Sequence, residues 1–298
     1  MTHIPVLLNE VISGLSIKPS DTFLDGTLNA GGHSKAASKI LGTEGVIIGI
    51  DLDGNALTKA REALSGIQAK VFLVQENFGN MELVLSQVGI KFVDKILLDL
   101  GLSSNQLEES GRGFSFNKKE PLQMTFKENP GPSDLTAGDI VNRWDEENIA
   151  QIIKSYGEER FAEKIAHAIV FEREKREIKT TEDLVNIIKI AIPKKYQSGK
   201  INPATKTFQA LRITVNDEIT NLKKGLEQGF EHLNIGGRIA VISFHSLEDR
   251  MVKNFFKQKA IDGRGVVITK KPIIASKEEE DSNPRSRSAK LRILEKIA

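Results

Sequence analysis

TFLDGTLNAGGHSKAASKILGTEGVIIGID, residues 22–51, is the stretch that decides the fold. It begins and ends with a short apolar, β-prone run, and the segment between them, GGHSKAASKIL, has the spacing of an amphipathic helix. The alternation continues through AKVFLVQ (69–75), GNMELVLSQVG (79–89) and VDKILLDL (93–100). Strands that alternate with short helices form β-α-β units, and buried parallel strands read as continuous apolar runs. We therefore predict a doubly wound α/β sheet.

The pattern changes after Leu107. Residues 108–208 contain mostly helical periodicity, which predicts an inserted all-helical domain. Residues 207–233 are typical of one long helix, and the β-prone run RIAVISF (238–244) resumes the sheet. The sequence therefore predicts a discontinuous α/β domain, 1–107 and 209–298, interrupted by the helical domain.

Composition excludes several classes of site. The chain has 298 residues and no cysteine, which excludes disulfides, thiolate catalysis, iron–sulfur clusters and cysteine-based zinc sites and fits a reducing compartment. We find neither a basic leader before an apolar core nor an apolar run near the ~18 residues of a membrane helix, so we expect a cytoplasmic protein without a membrane partner. No His, Asp and Glu residues have metal-ligand spacing, so we also expect no metal.

The net charge of +2 hides an asymmetry. Residues 1–150 hold 13 basic and 20 acidic side chains, a net of −7, whereas residues 151–298 carry +9. A basic half is a hint of a nucleic-acid or membrane partner, although solvated helix faces produce the same pattern without one.

The first βα turn, DGTLNAGGHS (25–34), lies where parallel sheets bind ligands, at the carboxyl ends of the strands. Gly31 and Gly32 are expected to let the backbone approach a ligand and to leave helix N-terminal amides exposed to it. Leu28 occupies the second glycine position of the G-x-G-x-x-G pattern. This argues against a dinucleotide and therefore against a rival interpretation, an NAD-dependent oxidoreductase.

Three aspartates end the first, second and fourth strands of the predicted sheet. Asp51 follows Gly32 by nineteen residues, close to the ~20 residues at which a carboxylate accepts hydrogen bonds from a ribose diol. With Asp25 and Asp99 also at strand ends, the edge favours a nucleoside that carries a positive charge, such as S-adenosylmethionine. The alternative is that each aspartate caps the following helix. Phe78 is expected to pack on adenine or, alternatively, in the core.

Seven segments, in order along nearly the whole chain, resemble the ribosomal RNA small subunit methyltransferase H family, also called RsmH or MraW. They are HIPVLLNEVISGL (3–15), DGTLNAGGHS (25–34), LLDLGLSSNQL (97–107), GEERFAEKIAHAIV (157–170), NPATKTFQALRITVNDE (202–218), GGRIAVISFHSLEDRMVKNFF (236–256) and NPRSRSAKLR (283–292). The resemblance implies a Rossmann-like class I methyltransferase sheet with an inserted helical domain. It also implies a bacterial enzyme that uses S-adenosylmethionine to methylate N4 of a cytidine, 1402 in the usual numbering, in 16S rRNA near the ribosomal P site.

The resemblance also implies site residues and shows departures from the family pattern. The implied cofactor contacts are Gly31, Gly32, His33, Asp51, Phe78, Asp99 and Gln106. Asn29 stands where the family usually has glycine. Asn202 and Lys206 stand where it usually has His and Arg, and EPLQMTF (120–126) replaces a more acidic stretch.

Two residues are candidates for catalysis. Cytosine N4 is a poor nucleophile, so transfer needs in-line positioning and an acceptor for an N–H proton. Asp99 or a nearby carbonyl is the expected acceptor, and Ser103 and Ser104 could touch the base edge. His245 could contact the target nucleotide or take a proton, or it could be a structural histidine that holds its loop.

RNA binding is expected to use the basic half. The candidates for phosphate contacts are Lys194, Lys195, Lys200, Lys206, Arg285, Arg287, Lys290 and Arg292, with Tyr196 as a stacking residue. The arginines lie in a segment expected to be flexible, whereas solvated lysines are the alternative for the others. The helical insertion is expected to hold the rRNA around the target base. A non-catalytic RNA-binding assembly factor on the same fold is a second interpretation.

Overall fold

The computed structural model describes residues 5–102, 107, 110–128, 130–197 and 202–298. The chain divides into two compact units, one formed by Met1–Gly101 with Ile219–Ala298 and the other by Leu102–Glu218. Within the described residues, no helix is both long enough and apolar enough to cross a membrane.

The first unit opens with the alternation that the sequence predicts. In chain order its elements are α1 (Leu8–Leu15), β1 (Thr22–Asp25), α2 (Gly32–Ser38), β2 (Val46–Asp51), α3 (Gly54–Ala63), β3 (Lys70–Gln75), α4 (Met81–Val88) and β4 (Val93–Asp99). Asp53 starts α3 by accepting a hydrogen bond from the amide of Asn55, and Gly89 ends α4 with a left-handed backbone.

The second unit is helical. It contains α5 (Ala137–Arg143), α6 (Glu146–Gly157), α7 (Ala162–Arg173), α8 (Thr181–Ala191) and α9 (Thr205–Asn216). Thr180 caps α8, and the side chain of Asp183 accepts the Thr180 amide in return, which is the capping box typical of a helix start. The apolar faces of the five helices enclose one buried core, which includes Ile153, Ile165 and Leu211.

The chain then completes the sheet. The remaining elements are α10 (Glu218–Glu231), β5 (Leu233–Ser243), α11 (Ser246–Ile261), β6 (Gly265–Val267), α12 (Lys277–Ser282) and β7 (Lys290–Lys296). The strand order is β3-β2-β1-β4-β5-β7-β6, and β7 runs antiparallel to both of its neighbours. Strand order reverses between β1 and β4, and the carboxyl ends of these two strands therefore flank the position where α/β sheets bind ligands.

Two apolar layers bury the two faces of the sheet. Successive residues of β1 point to opposite faces: Phe23 packs with α1 and α2, whereas Leu24 packs with α4, α10 and α11. Both side chains are fully buried. The two helix layers thus fix the strands, and through them the residues at the strand ends.

Two sequence-based expectations about the second half, one long helix over 207–233 and a flexible arginine segment, are wrong, and the predicted domain boundary differs from that of the compact unit. Residues 207–233 form two helices, because Asp217 adopts a left-handed backbone (φ 48°) between α9 and α10. Phe208 and Leu211 of α9 pack in the helical core, so the predicted boundary after residue 208 cuts a helix, and the compact unit continues to Glu218. The arginine segment expected to be flexible instead forms a 3-10 turn, Pro284–Ser288, and β7.

Candidate functional site

Asp51 ends β2 and is held by the backbone around it. Its Oδ2 accepts a hydrogen bond from the amide of Asn29 at 2.7 Å, and its Oδ1 accepts one from the amide of Asp53 at 2.9 Å. Each carboxylate oxygen has two lone pairs, so each keeps one for a ligand. Burial raises the pKa of Asp51 to about 6, against the two amide bonds, which lower it. The carboxylate is therefore oriented and charged at neutral pH.

The turn between β1 and α2 is fastened to both neighbouring strands. The amide of Leu28 donates to the carbonyl of Ile50 in β2 at 2.9 Å. On the other side, the amide of Asp99 donates to Oγ1 of Thr27 at 2.6 Å. Asn29 has φ 50°, in the left-handed region that glycine and asparagine tolerate best. This conformation explains why Asn29 can replace the usual glycine of the family.

A cluster of polar side chains lies at the ends of β1 and β4. Asp25 is buried, and its Oδ2 accepts a hydrogen bond from Oγ of Ser34 at 2.7 Å. Nε2 of His33 lies 3.7 Å from Oδ2 of Asp99. Burial raises the pKa of Asp25, while His33 and Ser34 lower it and the charge of Asp99 raises it further. The sequence had placed these two aspartates at one edge, and the structure brings them together with His33.

Three buried atoms of this cluster have no hydrogen-bond partner among the described residues: Oδ1 of Asp99 and both ring nitrogens of His33. Buried polar atoms are rarely left unpaired, because an unpaired group loses its hydration without compensation. Together with the open lone pairs of Asp51, these atoms form a donor and acceptor set that a polar ligand would satisfy. Since the set contains two carboxylates, with a third, Asp25, beside them, it suits a nucleoside with a cationic group.

The structure gives a packing reason for each of the two glycines at the start of α2, and their contact with a cofactor stays a prediction. Gly31 has φ 76°, and a Cβ there would lie 3.3 Å from Cβ of Ala60. A Cβ on Gly32 would lie 2.4 Å from Cγ of Pro5. The structure explains both glycines by close packing within the protein and by a left-handed backbone, so the expected reason, approach to a ligand, is not required.

Phe78 follows β3 in a turn capped by Asn77, whose Oδ1 accepts the amide of Gly79 at 2.7 Å. A Cβ on Gly225 of α10 would lie 2.6 Å from Cδ2 of Phe78. The ring is half-buried and packs on the core layer with α10. This gives Phe78 the core role that was its alternative interpretation; contact with adenine stays a prediction.

Comparison with known proteins identifies the family. Residues 1–297 match the model of the MraW methylase family. The chain belongs to this family. Its similar relatives include the ribosomal RNA small subunit methyltransferase H of Acetivibrio thermocellus, 47% identical over 312 residues, and that of Clostridioides difficile, 44% identical over 310 residues. In both cases the match covers 99% of this chain and 99% of the relative.

Membership in the MraW methylase family agrees with the fold. The seven-stranded sheet with its last strand antiparallel is the Rossmann-like sheet of class I methyltransferases, and the helical unit interrupts it. The sequence-based fold class is therefore confirmed.

His245 lies at the N-cap of α11. Its Nδ1 accepts the amide of Glu248 at 3.4 Å, and the Glu248 carboxylate accepts the amides of Phe244 and His245. Nε2 lies 3.1 Å from Oε1 of Glu248. Local structure thus accounts for His245 as the capping residue of its helix, and a catalytic role for it stays a prediction.

The predicted RNA-binding residues have different environments. Tyr196 is 41% exposed, with the guanidinium of Arg160 stacked 3.8 Å from its ring centre. Lys194 and Lys195 are exposed on the same 3-10 turn. Lys206, also exposed, donates to the carbonyl of Glu158 at 2.8 Å, at the left-handed end of α6.

The predicted RNA-binding residues of the C-terminal segment differ in exposure and in ion pairing. Arg292 is buried in β7, and its Nε donates to Oδ1 of Asp249 at 2.7 Å. An arginine paired in this way has its charge neutralised, which gives Arg292 a structural role, and its contact with a phosphate stays a prediction. Lys290 lies 3.5 Å from the same carboxylate and is half-buried. Arg285 is half-buried and Arg287 is exposed.

Two of the departures from the family pattern have structural roles in the helical unit. Oδ1 of Asn202 accepts the amide of Ala204 just before α9. In the 120–126 stretch, Leu122 and Met124 are buried in the helical core. This stretch therefore acts through packing. Four predicted site residues, Ser103, Ser104, Gln106 and Lys200, lie outside the described residues.

Sequence reasoning missed three residues that organise the site. Thr27 and Ser34 position Asp99 and Asp25, and Asp53 both orients Asp51 and caps α3. All three stand within nine residues of a marked aspartate. For Thr27 and Asp53 the available signal was a short polar side chain two residues after a strand-ending carboxylate, since such residues hydrogen-bond locally.

Proposed function

We propose that the protein transfers a methyl group from S-adenosylmethionine to N4 of a cytidine in the 16S rRNA of the small ribosomal subunit. The single observation that supports this chemistry best is Oδ1 of Asp99, a buried carboxylate oxygen without a partner among the described residues. It lies at the switch point of a methyltransferase sheet. The names of the relatives support the substrate at the level of small-subunit rRNA.

S-adenosylmethionine is the methyl donor of this family, and when bound it supplies an electrophilic methyl group on a sulfonium. The acidic edge suits it. Asp51 keeps one lone pair on each oxygen, which is what the two hydroxyls of a ribose require, and the amides of Asn29 and Asp53 fix its orientation. Phe78, in the loop after β3, would border the adenine. Asp25 and Asp99 favour a positive charge nearby and disfavour phosphates.

Catalysis on cytosine N4 depends on position and on a proton acceptor. The N4 lone pair is delocalised into the ring, so the amine gains nucleophilicity only when it can pyramidalise. Oδ1 of Asp99 accepts a hydrogen bond from one N–H and holds the amine in line with the methyl group. The bound cofactor would supply the methyl group and leave as S-adenosylhomocysteine, and Asp99 would take the proton that N4 loses when the N–C bond forms and the S–C bond breaks.

Asp99 owes its position to two neighbours. Thr27 accepts its amide, which fixes the end of β4 against the β1 turn. His33 faces Oδ2, so Oδ1 is the oxygen that remains for the substrate. Asp25 accepts a hydrogen bond from Ser34, and burial raises the pKa of Asp25.

The helical unit supplies rRNA contacts in this proposal. Tyr196 and Arg160 form an exposed stacked pair next to Lys194 and Lys195. Aromatic and guanidinium planes stack on unpaired bases, and lysines contact phosphates. Arg287 is the exposed arginine of the C-terminal segment and adds a phosphate contact. A cytidine inside folded rRNA has to leave its stack to reach the cofactor, so contacts that hold its surroundings are needed.

Two measurements test this function. Calorimetry with S-adenosylmethionine and with NAD should show binding of the first alone; tight NAD binding without S-adenosylmethionine binding would contradict the proposal. Labelled methyl groups should then pass to small subunits purified from a strain that lacks the enzyme. If the protein binds those subunits but transfers no label to their RNA, the non-catalytic assembly factor is the better interpretation.

A further inference from the structure

A groove lies on the first compact unit, which contains the sheet. It is formed between the second half of α11 and the β6–β7 edge. Its volume is about 430 Å³. Its basic lining residues are Lys253, Lys257, Lys270 and Arg292, and no acidic residue lines it. Lys253, Lys257 and Lys270 have no role in the proposed chemistry.

We propose that this groove binds the sugar–phosphate backbone of the small-subunit rRNA at nucleotides flanking the methylated one. The proposal rests on the proposed function for the identity of the RNA. The ligand chemistry itself, a polyanionic strand, follows from the charges and the surface of the groove.

The positive charge of the groove is uncompensated. Arg292 is paired with Asp249 and forms a fixed wall. Lys253, Lys257 and Lys270 are exposed, and none of them has an ion pair with another of the described residues. Lys253 and Lys257 are four residues apart on α11 and therefore lie on one face, where like charges repel. A bound phosphate between them would remove this repulsion.

The floor of the groove is apolar. Phe256 is buried beneath it, Val267 of β6 is half-buried, and Ile261 is 67% exposed at the end of α11. An apolar floor with a lysine rim matches an RNA strand, whose sugars and base faces cover apolar surface while its phosphates meet ammonium groups. An acidic peptide is the rival occupant; the family's rRNA relatives favour the nucleic acid.

Lys257, in the second half of α11, is too far from the strand ends to act in the chemical step. Lys257 follows the cap residue His245 by twelve residues of α11, which corresponds to about 18 Å along the helix. The lysines should therefore strengthen subunit binding and leave turnover at saturation unchanged.

A salt-dependence experiment tests the groove. The triple variant Lys253→Ala/Lys257→Ala/Lys270→Ala should bind small subunits at least about tenfold more weakly, and the slope of log K against log salt should fall by about 2, since each lost phosphate contact removes about 0.7–0.9. The matched control is Lys18→Ala/Lys39→Ala/Lys59→Ala, which removes three exposed lysines of the same unit. It should keep the wild-type slope. A groove variant with the wild-type slope would overturn the proposal.

Cross-linking distinguishes RNA from protein as the occupant. The chain contains no cysteine, so Lys257→Cys creates a single site for a thiol-directed photo-cross-linker. Incubation with small subunits should attach this site to 16S rRNA. Cross-links to ribosomal proteins alone would overturn the proposal. Both experiments measure binding, so a protein that binds through the groove but transfers no methyl group would contradict the proposed function and leave the groove intact.

Discussion

Nε2 of His33 lies 3.7 Å from Oδ2 of Asp99, so the two oxygens of this carboxylate have different surroundings. Oδ2 is turned toward the imidazole, while Oδ1 is buried without a partner among the described residues. In the proposed function, this atom is the acceptor for the amine of the substrate. The first prediction follows from this division of the carboxylate.

Replacing Asp99 should stop transfer. Because Asp99→Ala removes the acceptor, we expect the turnover number to fall by about 10²–10⁴, the usual contribution of a positioned proton acceptor. Asp99→Asn keeps one oxygen and should retain more activity than the alanine variant. Single-turnover methyl transfer with saturating cofactor is the measurement, and Glu62→Ala, an exposed carboxylate on α3, is the control. Full turnover by Asp99→Ala would remove Asp99 from catalysis.

Asp51 should act on cofactor affinity. Asp51→Ala removes two charge-assisted acceptors for the ribose, which are worth about 1.5–3 kcal/mol each, so we expect the Kd for S-adenosylmethionine to rise at least about a hundredfold. Calorimetry measures this change directly. Equal affinity in the variant and the wild type would show that the ribose lies elsewhere.

The raised pKa of Asp51 predicts opposite pH trends for binding and stability. The folded pKa of about 6 lies above the ordinary 3.8, so between these values the folded state binds more protons, and stability falls as pH rises. The difference corresponds to about 3 kcal/mol. Cofactor affinity should instead rise over the same range, because the ionised carboxylate accepts both ribose hydroxyls.

Thermal unfolding and calorimetry between pH 4.5 and about 7 check both trends. In Asp51→Asn the decline of Tm with pH should be smaller than in the wild type, since the variant lacks this titration; Asp25, whose pKa is also raised, leaves part of the decline in place. Identical pH profiles of Tm in the two proteins would contradict the assignment of the shift to Asp51.

Tyr196 should contribute to rRNA binding. Base stacking on an exposed aromatic ring is worth about 1–3 kcal/mol, so Tyr196→Ala should raise the KM for small subunits about ten- to a hundredfold without changing cofactor affinity. The helical unit offers a matched control in Phe171, an exposed ring with Nζ of Lys175 3.9 Å from its centre. Phe171→Ala should leave KM unchanged. An equal rise in both variants would indicate general damage to the unit.

Asn29 tests the backbone conformation of the site. Its φ of 50° costs a β-branched residue about 1–2 kcal/mol, so Asn29→Val should lower stability by that amount and weaken cofactor binding by displacing the amide that holds Asp51. Asn29→Gly should be close to neutral, because glycine adopts this conformation without strain. Chemical denaturation compares the two, and a stable valine variant would contradict the account of this turn.

The sheet and its acidic edge were predictable because both depend on local sequence. The buried strands are continuous apolar runs, and Asp25, Asp51 and Asp99 stand at their ends. The strand β7 was missed, since KLRILEK alternates with charged residues whose partners are remote: Arg292 is neutralised by Asp249, 43 positions away.

Other features were unpredictable for a similar reason. Gly32 is required by its packing on Pro5, far along the chain, and no local signal points to that contact. The break at Asp217 has neither glycine nor proline to mark it. It follows from the apolar residues of α9, which belong to the helical core. Sequence patterns thus predict where strands end, while tertiary contacts decide which charged and small residues are structural.

The most direct measurement of the central claim is nucleoside analysis of 16S rRNA. Small subunits from a strain that lacks the enzyme are incubated with the protein and S-adenosylmethionine, and the digested RNA is examined by mass spectrometry. We predict one new N4-methylcytidine per subunit, absent when Asp99→Ala replaces the wild type. Methylation at another atom or base, or RNA that gains no methyl group, would contradict the account.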